Sequence, residues 1–220
     1  MDNQLHVIKD FYNAIADDYA QEEYENDNFK EIILRFISLL PPSPRVLDMG
    51  CGAGYRSREL KLFGADVTGI DISEKAIQIA KVKNPNCHFE VLDFMNIDDS
   101  LGYFDGVISI GTFAHINDFD LPRVFAQINK TLKVNGLLLL IVCDGNGELQ
   151  SHFSKKLNNN LYEFVNYFYD KDKLNKSARE QNIVFIENWE LPKKYSQKGY
   201  KCYLYRNIKP RGIRRITQGE

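Results

Sequence analysis

Cysteine is scarce in this 220-residue sequence, and the four that occur lie far apart (Cys51, Cys87, Cys143 and Cys202). They form neither a C-x-x-C pair nor a cluster with histidine. This spacing excludes a disulfide framework and provides no metal-binding motif. We therefore expect free, mostly buried thiols in a reducing compartment, the cytoplasm, and no bound metal.

Long apolar runs and an excess of charge of one sign are also missing. The longest apolar run, residues 137–143, is far shorter than the roughly 20 residues that a membrane-spanning helix needs. The first residues show no signal-peptide pattern, so we expect no membrane partner. The formal net charge is −2 and the isoelectric point is about 6.1. This balance does not favour extended binding to nucleic acid.

The composition that remains is that of an ordinary globular protein. Hydrophobic residues make up 44% of the sequence, and we find no internal repeat and no second domain. A chain of this length buries roughly 70% of its unfolded surface when it folds. It can therefore be stable as a single domain without a disulfide or a metal.

The most informative stretch lies at residues 45–55. Val46 and Leu47 resemble the end of a buried strand, Asp48 follows, and Gly50, Gly52 and Gly54 then alternate with other residues before a helix pattern at 57–63. Glycine is required where the backbone takes positive φ or where a ligand presses against the main chain. The N–H groups of the following helix then face that ligand.

Two nucleotide-binding interpretations compete for this loop. A dinucleotide site requires G-x-G-x-x-G, but Tyr55 occupies the position of the third glycine. The run from Asp48 to Gly54 instead resembles the first motif of class I S-adenosylmethionine (SAM) dependent methyltransferases. In that family the loop passes under the methionine part of SAM, and the acidic residue approaches its amino group. A nicotinamide oxidoreductase remains an alternative.

The resemblance implies an α/β fold. Its sheet has seven mostly parallel strands with one reversed strand, helices on both faces and an N-terminal helical lid. The domain spans residues 1–220, with a lid (1–40), a cofactor-binding core (41–143), a substrate-side insertion (144–170), a closing helix and strands (171–206) and a basic tail (207–220). The cofactor implied is SAM, and the product is S-adenosylhomocysteine.

Acidic residues follow the next two predicted strands. Asp71 ends the second strand, where a carboxylate can accept hydrogen bonds from both ribose hydroxyls. Helix capping is the alternative role for this segment, since Ser73 precedes a helix pattern. Asp93 and Phe94 follow the third strand, and the resemblance implies contacts with the adenine amino group and ring. An ordinary loop aspartate is the alternative there. We also expect Ile72 to contact the cofactor.

The fourth strand, 104–110, leads to a histidine. The resemblance implies that residues 109–115 lie beside the sulfonium, with Ile110 against the cofactor and His115 as a candidate general base. A histidine that only packs at a helix start is the alternative. The chain lacks the Asn/Asp-Pro-Pro-Tyr/Phe motif of DNA amino-methyltransferases, which argues against adenine-N6 chemistry.

Residues 5–20 and 28–40 have helical periodicity, with an exposed connection expected at 21–28. Tyr12 and Tyr19 lie on one face of the first helix. The resemblance places them in a lid over the cofactor or substrate, and packing in the core is the alternative. The electron-rich rings of these tyrosines could shape a sulfonium site.

The second half of the chain is less regular. We expect a helix at 120–132, a turn at 133–136 and a buried strand at 137–142. Residues 144–170 break the pattern, and the resemblance places them above the sheet edge, where their aromatic residues line a pocket or pack together. A helix at 172–181 and strands at 182–191 and 198–207 complete the prediction.

These observations predict a SAM-dependent methyltransferase that acts on an oxygen or nitrogen atom of a small molecule. An RNA or tRNA methyltransferase is one alternative, since the tail is basic (Lys209, Arg211, Arg214 and Arg215). A SAM-binding protein without transferase activity is another, because the glycine loop and the acidic residues predict binding alone.

Overall fold

A computed structural model describes residues 2–25, 29–143, 148–192 and 199–208. Within these ranges the helices are α1 (Asp2–Glu25), α2 (Lys30–Ser38), α3 (Tyr55–Leu62), α4 (Glu74–Lys83), α5 (Leu121–Thr131) and α6 (Lys171–Glu180). The strands are β1 (Arg45–Met49), β2 (Asp66–Asp71), β3 (His88–Val91), β4 (Phe104–Ile110), β5 (Leu132–Cys143), β6 (Gln150–Leu157), β7 (Asn160–Tyr167), β8 (Ile183–Trp189) and β9 (Tyr200–Asn207). None of the helices in these ranges is long and apolar enough to cross a membrane.

Seven strands form one sheet in the order β3-β2-β1-β4-β5-β9-β8. The pairs from β3 to β5 are parallel, and β9 is antiparallel to both β5 and β8, so it is the reversed strand. This arrangement confirms the predicted fold. The strand order reverses between β1 and β4, and ligands of open α/β sheets bind outside the carboxyl ends of the strands at such a point.

Side chains alternate between the two faces of the sheet, and each face has its own core. Val46 and Ile108 pack with α2 and α3 residues such as Phe36. Leu47 and Val107 point the other way and pack with α5 and α6 residues. The central strands are buried on both faces because helices cover both, which explains their continuous apolar sequence.

Strands β6 and β7 form a separate two-stranded ribbon within the segment that breaks the sequence pattern. Leu157 pairs with Asn160, so the connection is the two-residue turn Asn158-Asn159, with φ of +48° and +66°. Asparagine tolerates this left-handed conformation, which hairpin turns require. Tyr162 and Phe164 of the ribbon pack against α1 in a third apolar cluster.

Two sequence predictions differ from the structure. Helix α1 continues to Glu25, so residues 21–25 of the predicted connection are helical, and residues 26–28 lie outside the described ranges. Strand β5 begins at Leu132 and includes the predicted turn at 133–136. Leu132 pairs with Phe104 and Leu137 pairs with Gly106, so the intervening residues form a bulge with Asn135 at φ +64°. The basic tail from residue 209 lies outside the described ranges.

Candidate active site

The glycine loop connects β1 to α3 and is shaped by backbone hydrogen bonds. Gly50, Gly52 and Gly54 all have positive φ, at +77°, +52° and +82°. The N–H groups of Gly50 and Cys51 donate to the Ile70 carbonyl at 2.8 and 3.0 Å, which holds the loop against β2. Gly54 precedes α3 as its N-cap. The sequence pattern of alternating glycines thus reflects a real backbone requirement.

Gly50 and Gly54 also allow close packing. A Cβ atom on Gly50 would lie 2.1 Å from Oγ1 of Thr112, on the loop after β4. A Cβ atom on Gly54 would lie 2.8 Å from Nδ2 of Asn84 and 3.0 Å from Phe89. Because neither glycine has a side chain, the neighbouring elements can pack closely against the loop. The sequence pattern alone does not reveal this role.

Replacing Gly50 with alanine is expected to destabilise the protein more than the same change at Gly64. Both residues have left-handed φ, which costs an L-residue about 1–2 kcal/mol. An added Cβ at Gly64 has nothing within 4 Å, whereas at Gly50 it would overlap Thr112. Urea unfolding of both variants measures the difference. Equal losses would contradict the packing role, and Thr112→Ala added to Gly50→Ala should recover part of the loss.

Asp71 lies at the carboxyl end of β2, beside the glycine loop. Its Oδ2 accepts a hydrogen bond from the Gly52 N–H at 2.9 Å, and its Oδ1 accepts one from the Ser73 N–H at 2.9 Å. Burial raises the pKa of Asp71, and these two hydrogen bonds oppose the rise. Each carboxylate oxygen has a further lone pair, so the group can also accept hydrogen bonds from a ligand. Ser73 caps α4 by accepting from the Ala76 N–H at 3.0 Å.

Asp48 is a buried carboxylate at the end of β1, with 3% of its surface exposed. Its Oδ2 accepts a hydrogen bond from the Ser57 hydroxyl at 2.6 Å. Burial raises the pKa of Asp48 from 3.8 to about 6, against the lowering effects of Ser57 and Arg56. A ligand cation beside this carboxylate would favour its ionised form.

Asp93 and Phe94 follow β3. Oδ1 of Asp93 accepts from the Met95 N–H at 2.8 Å, so the residue caps the short turn Phe94–Asn96. Oδ2 accepts from Nδ2 of Asn96 at 2.9 Å. These two hydrogen bonds hold the Asp93 carboxylate at the same edge of the sheet as Asp71. Both donors belong to the protein, so neither bond marks the position of an adenine amino group.

Helix α1 lies over the carboxyl edge of the sheet and is fastened to the start of α4. Oδ1 of Asn13 accepts from the Ser73 hydroxyl at 2.7 Å and from the Lys75 N–H at 3.1 Å. Nδ2 of Asn13 donates to Glu74, which also pairs with Lys9. Asn13 thus links the N-terminal helix to the segment that holds Asp71. Asn13 could not be predicted from the sequence, because only the tertiary structure brings the two helices together.

His115 lies beneath α1 at the end of the turn that follows β4. Its Nε2 forms a hydrogen bond with the Tyr12 hydroxyl at 2.8 Å, and its ring packs edge-on against Phe164 of the ribbon. Burial lowers the pKa of His115 from 6.5 to about 4, so its imidazole is neutral at physiological pH. The ring of Tyr19 lies 6.3 Å from that of Tyr12.

These residues surround one cavity of about 1190 Å³. All the predicted site residues except Gly54 line it: Tyr12, Tyr19, Asp48, Gly50, Gly52, Asp71, Ile72, Asp93, Phe94, Ile110 and His115. Sites for a single ligand usually measure about 300–1,000 Å³. The cavity therefore has room for a nucleoside cofactor and a second small molecule.

Several further polar residues line the cavity that were not among the predicted site residues. Arg56 contacts the rings of Phe29 and Tyr55 and pairs with Glu59 at 2.8 Å. Thr112, Arg123 and Glu163 line the same cavity from the loop after β4, from α5 and from the ribbon. Thr112 falls within the segment 109–115 that the resemblance places beside the sulfonium. Arg56, Arg123 and Glu163 lie in no recognisable motif, so their spacing in the sequence carried no signal.

Comparisons with known proteins agree with this architecture. A family model described as a methyltransferase domain matches residues 20–188. Magnesium-protoporphyrin O-methyltransferase of Rhodobacter capsulatus is 37% identical over 91 residues, which cover 39% of this chain and 40% of that protein. The chain thus spans well under two thirds of this relative.

Two solved structures share the fold at low identity. Magnesium protoporphyrin IX methyltransferase of Synechocystis, with bound SAM, has a TM-score of 0.71 at 16% identity, covering 93% of this chain and 97% of that one. A Burkholderia thailandensis N1-methyltransferase, with bound 1,6-didemethyltoxoflavin and S-adenosylhomocysteine, has a TM-score of 0.69 at 16% identity, covering 93% and 89%.

Proposed function

Because the chain belongs to the methyltransferase-domain family of class I SAM-dependent enzymes, we propose that it transfers the methyl group of SAM to an oxygen or nitrogen atom of a small molecule. The observation that carries the proposal is the convergence of the glycine loop, Asp71 and His115 on one large cavity. SAM supplies a methyl group that its positively charged sulfur has already activated.

The side chains fit such a cofactor. Asp71 would accept hydrogen bonds from the ribose hydroxyls, and the main chain of Gly50 and Gly52 would contact the methionine part. Asp48 would face the amino group, directly or through water. Asp93 and Phe94 would hold the adenine, while hydrophobic and aromatic residues form the walls, namely Tyr12, Tyr19, Ile72 and Ile110.

The charges of the cavity support a cationic cofactor and argue against an RNA substrate. Its acidic lining residues outnumber the basic ones: Glu22, Asp48, Asp71, Asp93, Asp120 and Glu163 against Arg56 and Arg123. A polyanion would require a basic surface, whereas the sulfonium and amino groups of SAM are complementary to carboxylates.

The chain's contribution to catalysis would be alignment and proton removal. Residues of helix α1 and of the ribbon, such as Tyr12 and Glu163, form part of the cavity wall. Positioning the acceptor behind the methyl group can contribute about 7–11 kcal/mol to lowering the barrier. His115, neutral at physiological pH, would accept the acceptor's proton, which typically adds about 10²–10⁴-fold to the rate.

The comparison proteins include methyltransferases for both kinds of acceptor atom. The Rhodobacter relative is named as an O-methyltransferase and the Burkholderia structure as an N1-methyltransferase, so both kinds of acceptor atom remain in the proposal. We also propose a cytoplasmic location, which is supported by the four cysteines, since none of them forms a disulfide among the described residues.

The pKa of Asp48 gives a testable pH dependence of SAM binding. The free protein protonates Asp48 as the pH falls through about 6, and neutral Asp48 no longer attracts an amino group. The affinity for SAM should therefore fall between pH 7 and pH 5, by up to about tenfold per pH unit.

The free energy of unfolding changes with pH in the opposite direction. The folded protein holds the proton of Asp48 more tightly than the unfolded chain does, because the pKa of Asp48 is raised from 3.8 to about 6. This stabilises the folded protein fully below pH 3.8, and the stabilisation is lost as the pH rises through 6.

Calorimetric titrations of SAM at several pH values test this expectation. The Asp48→Asn variant is the matched control, since it cannot ionise and keeps the residue's shape. We expect a steeper loss of affinity at low pH in the wild type than in the variant. Equal slopes would show that Asp48 does not face the amino group.

The proposed activity is tested by following radiolabelled methyl groups. Protein and [methyl-¹⁴C]SAM are incubated with a low-molecular-weight metabolite fraction or with total tRNA. Label is expected in the small-molecule fraction. Label in tRNA alone would support the RNA alternative, and label in neither fraction, with SAM bound, would support a binding protein without transferase activity.

A further inference from the structure

The methionine part of SAM ends in an amino group and a carboxylate, and these two groups need partners of opposite charge. In the proposed complex Asp48 faces the amino group, but the lining of the cavity is mainly acidic. A carboxylate that enters such a cavity without a cation loses its hydration and is repelled by its neighbours. Binding of SAM in this cavity therefore requires a cationic side chain close to Asp48.

Two cationic side chains, Arg56 and Arg123, line the cavity within the described ranges. Nη2 of Arg123 donates a hydrogen bond to Oδ1 of Asn96 at 2.7 Å, and Nδ2 of Asn96 donates one to Oδ2 of Asp93 at 2.9 Å. Arg123 therefore lies beside the residue that would hold the adenine, at the other end of the cofactor from the methionine part. This leaves Arg56 as the candidate for the carboxylate.

Arg56 lies close to the Asp48 carboxylate. It is the second residue of α3, directly after the glycine loop, and the hydroxyl of its neighbour Ser57 donates to Oδ2 of Asp48 at 2.6 Å. Burial raises the pKa of Asp48 to about 6, and the Ser57 hydrogen bond and the positive charge of Arg56 act against this rise. The guanidinium is therefore close enough to Asp48 for the two charges to interact, and together they complement the two charges of the methionine part.

The guanidinium of Arg56 is held in place before any ligand binds. Its Nη1 donates to Oε2 of Glu59 at 2.8 Å, and its Cζ lies 4.6 Å and 4.9 Å from the ring centroids of Tyr55 and Phe29. The side chains of Arg56 and Glu59 are 10% and 6% exposed. The bond to Glu59 uses one of the five N–H donors, and a planar guanidinium can bind a carboxylate through two parallel hydrogen bonds. A buried ion pair is seldom more stabilising than apolar residues would be, so stability alone does not account for this one.

We propose that Arg56 binds the carboxylate of SAM while Asp48 binds its amino group, so that the two side chains together recognise the zwitterionic amino-acid end of the cofactor. This rests on the proposed methyltransferase function. It adds a requirement on the cofactor: an adenosyl sulfonium compound without the carboxylate binds more weakly, although its sulfur and methyl group are unchanged. Recognition depends on the guanidinium itself, and Glu59 neutralises that guanidinium in the free protein.

Calorimetric titration with SAM and with decarboxylated SAM, which keeps the amino group and the sulfonium, tests the proposal. We expect the wild-type protein to bind SAM about 10–150-fold more tightly, the usual contribution of a hydrogen bond to a charged group. The Arg56→Gln/Glu59→Gln double variant removes the ion pair without leaving a buried charge, and it should bind the two compounds with similar affinity. Its affinity for decarboxylated SAM should stay close to that of the wild type. Equal losses of affinity for both compounds would show that Arg56 only supports the loop, and would overturn the proposal.

Two single variants separate recognition of the carboxylate from the ion pair itself. Glu59→Gln breaks the same ion pair but keeps the guanidinium, so the preference for SAM should persist. Arg58→Gln is the matched control on the same helix, because Arg58 is exposed and does not line the cavity. Loss of the preference in either single variant would overturn the proposal. A wild-type protein that binds both compounds equally would overturn only this inference, whereas binding of neither compound to the folded protein would overturn the methyltransferase function as well.

Discussion

The His115→Ala variant is expected to lose about 10²–10⁴-fold in kcat, the usual contribution of a general base. The imidazole lies at the end of the turn after β4, and burial lowers its pKa to about 4, so it is neutral at physiological pH. The lowered pKa also makes it a weaker base, so we expect a loss near the lower end of this range. Its removal should leave SAM binding nearly intact, because in the proposed complex the carboxylates and the glycine loop would supply the polar contacts. Methyl transfer assays measure the rate, and calorimetry on the same preparation measures SAM affinity.

His152→Ala is the matched control for this variant. His152 lies exposed on β6 of the ribbon and does not line the cavity, so its replacement should leave kcat unchanged. Turnover of His115→Ala at the wild-type rate would remove the histidine from the mechanism. The enzyme would then rely on alignment alone, which is chemically sufficient for methyl transfer to an acceptor that is already a good nucleophile.

The Asp71→Ala variant should weaken SAM binding by roughly 10–150-fold. A hydrogen bond to a charged group is worth about 1.5–3 kcal/mol, and 1.4 kcal/mol corresponds to a factor of ten. Two effects act together, because the variant removes the proposed ribose acceptor and also leaves the N–H groups of Gly52 and Ser73 without their carboxylate partner. Calorimetry measures the affinity, and urea unfolding shows how much of the loss reflects a loosened loop.

Asp66→Ala provides a control on the same strand. Asp66 begins β2 at the opposite edge of the sheet, and its side chain is 70% exposed. Its replacement should leave SAM affinity unchanged. Unchanged affinity in Asp71→Ala would instead confine Asp71 to shaping the loop and the start of α4.

The sequence was sufficient to predict most of the residues that line the cavity at the carboxyl edge of the sheet. Asp48, Asp71 and Asp93 each follow a predicted parallel strand, and the carboxyl ends of parallel strands meet at one edge of a sheet. The alternating glycines identified the loop because positive φ restricts the choice of residue at each position. These signals are local, so a single sequence carries them.

The contacts of the lid could not be predicted in the same way. Asn13 meets Ser73, and Tyr12 meets His115, only because α1 folds back across the sheet over more than 50 intervening residues. Side chains such as asparagine and tyrosine are common on helix surfaces, and nothing in their spacing indicates a distant partner. The periodicity of α1 correctly indicated a helix but could not show which element it would cover.

The ribbon is a different case, because a usable signal was overlooked. Asn158 and Asn159 lie between segments of strand length, and this pair suits a two-residue hairpin turn.

The bulge in β5 is less predictable. Gly136 indicated a turn before the buried strand, but pairing of Leu132 with Phe104 extends the strand across those residues. Tertiary pairing overrode the local turn preference.

Binding of SAM in the cavity at the edge of the sheet underlies the proposed function, and calorimetric titration with SAM and with NAD measures it. We expect saturable, one-to-one binding of SAM in the micromolar range and no comparable binding of NAD. Tighter binding of NAD, or no binding of SAM to the folded protein, would contradict it.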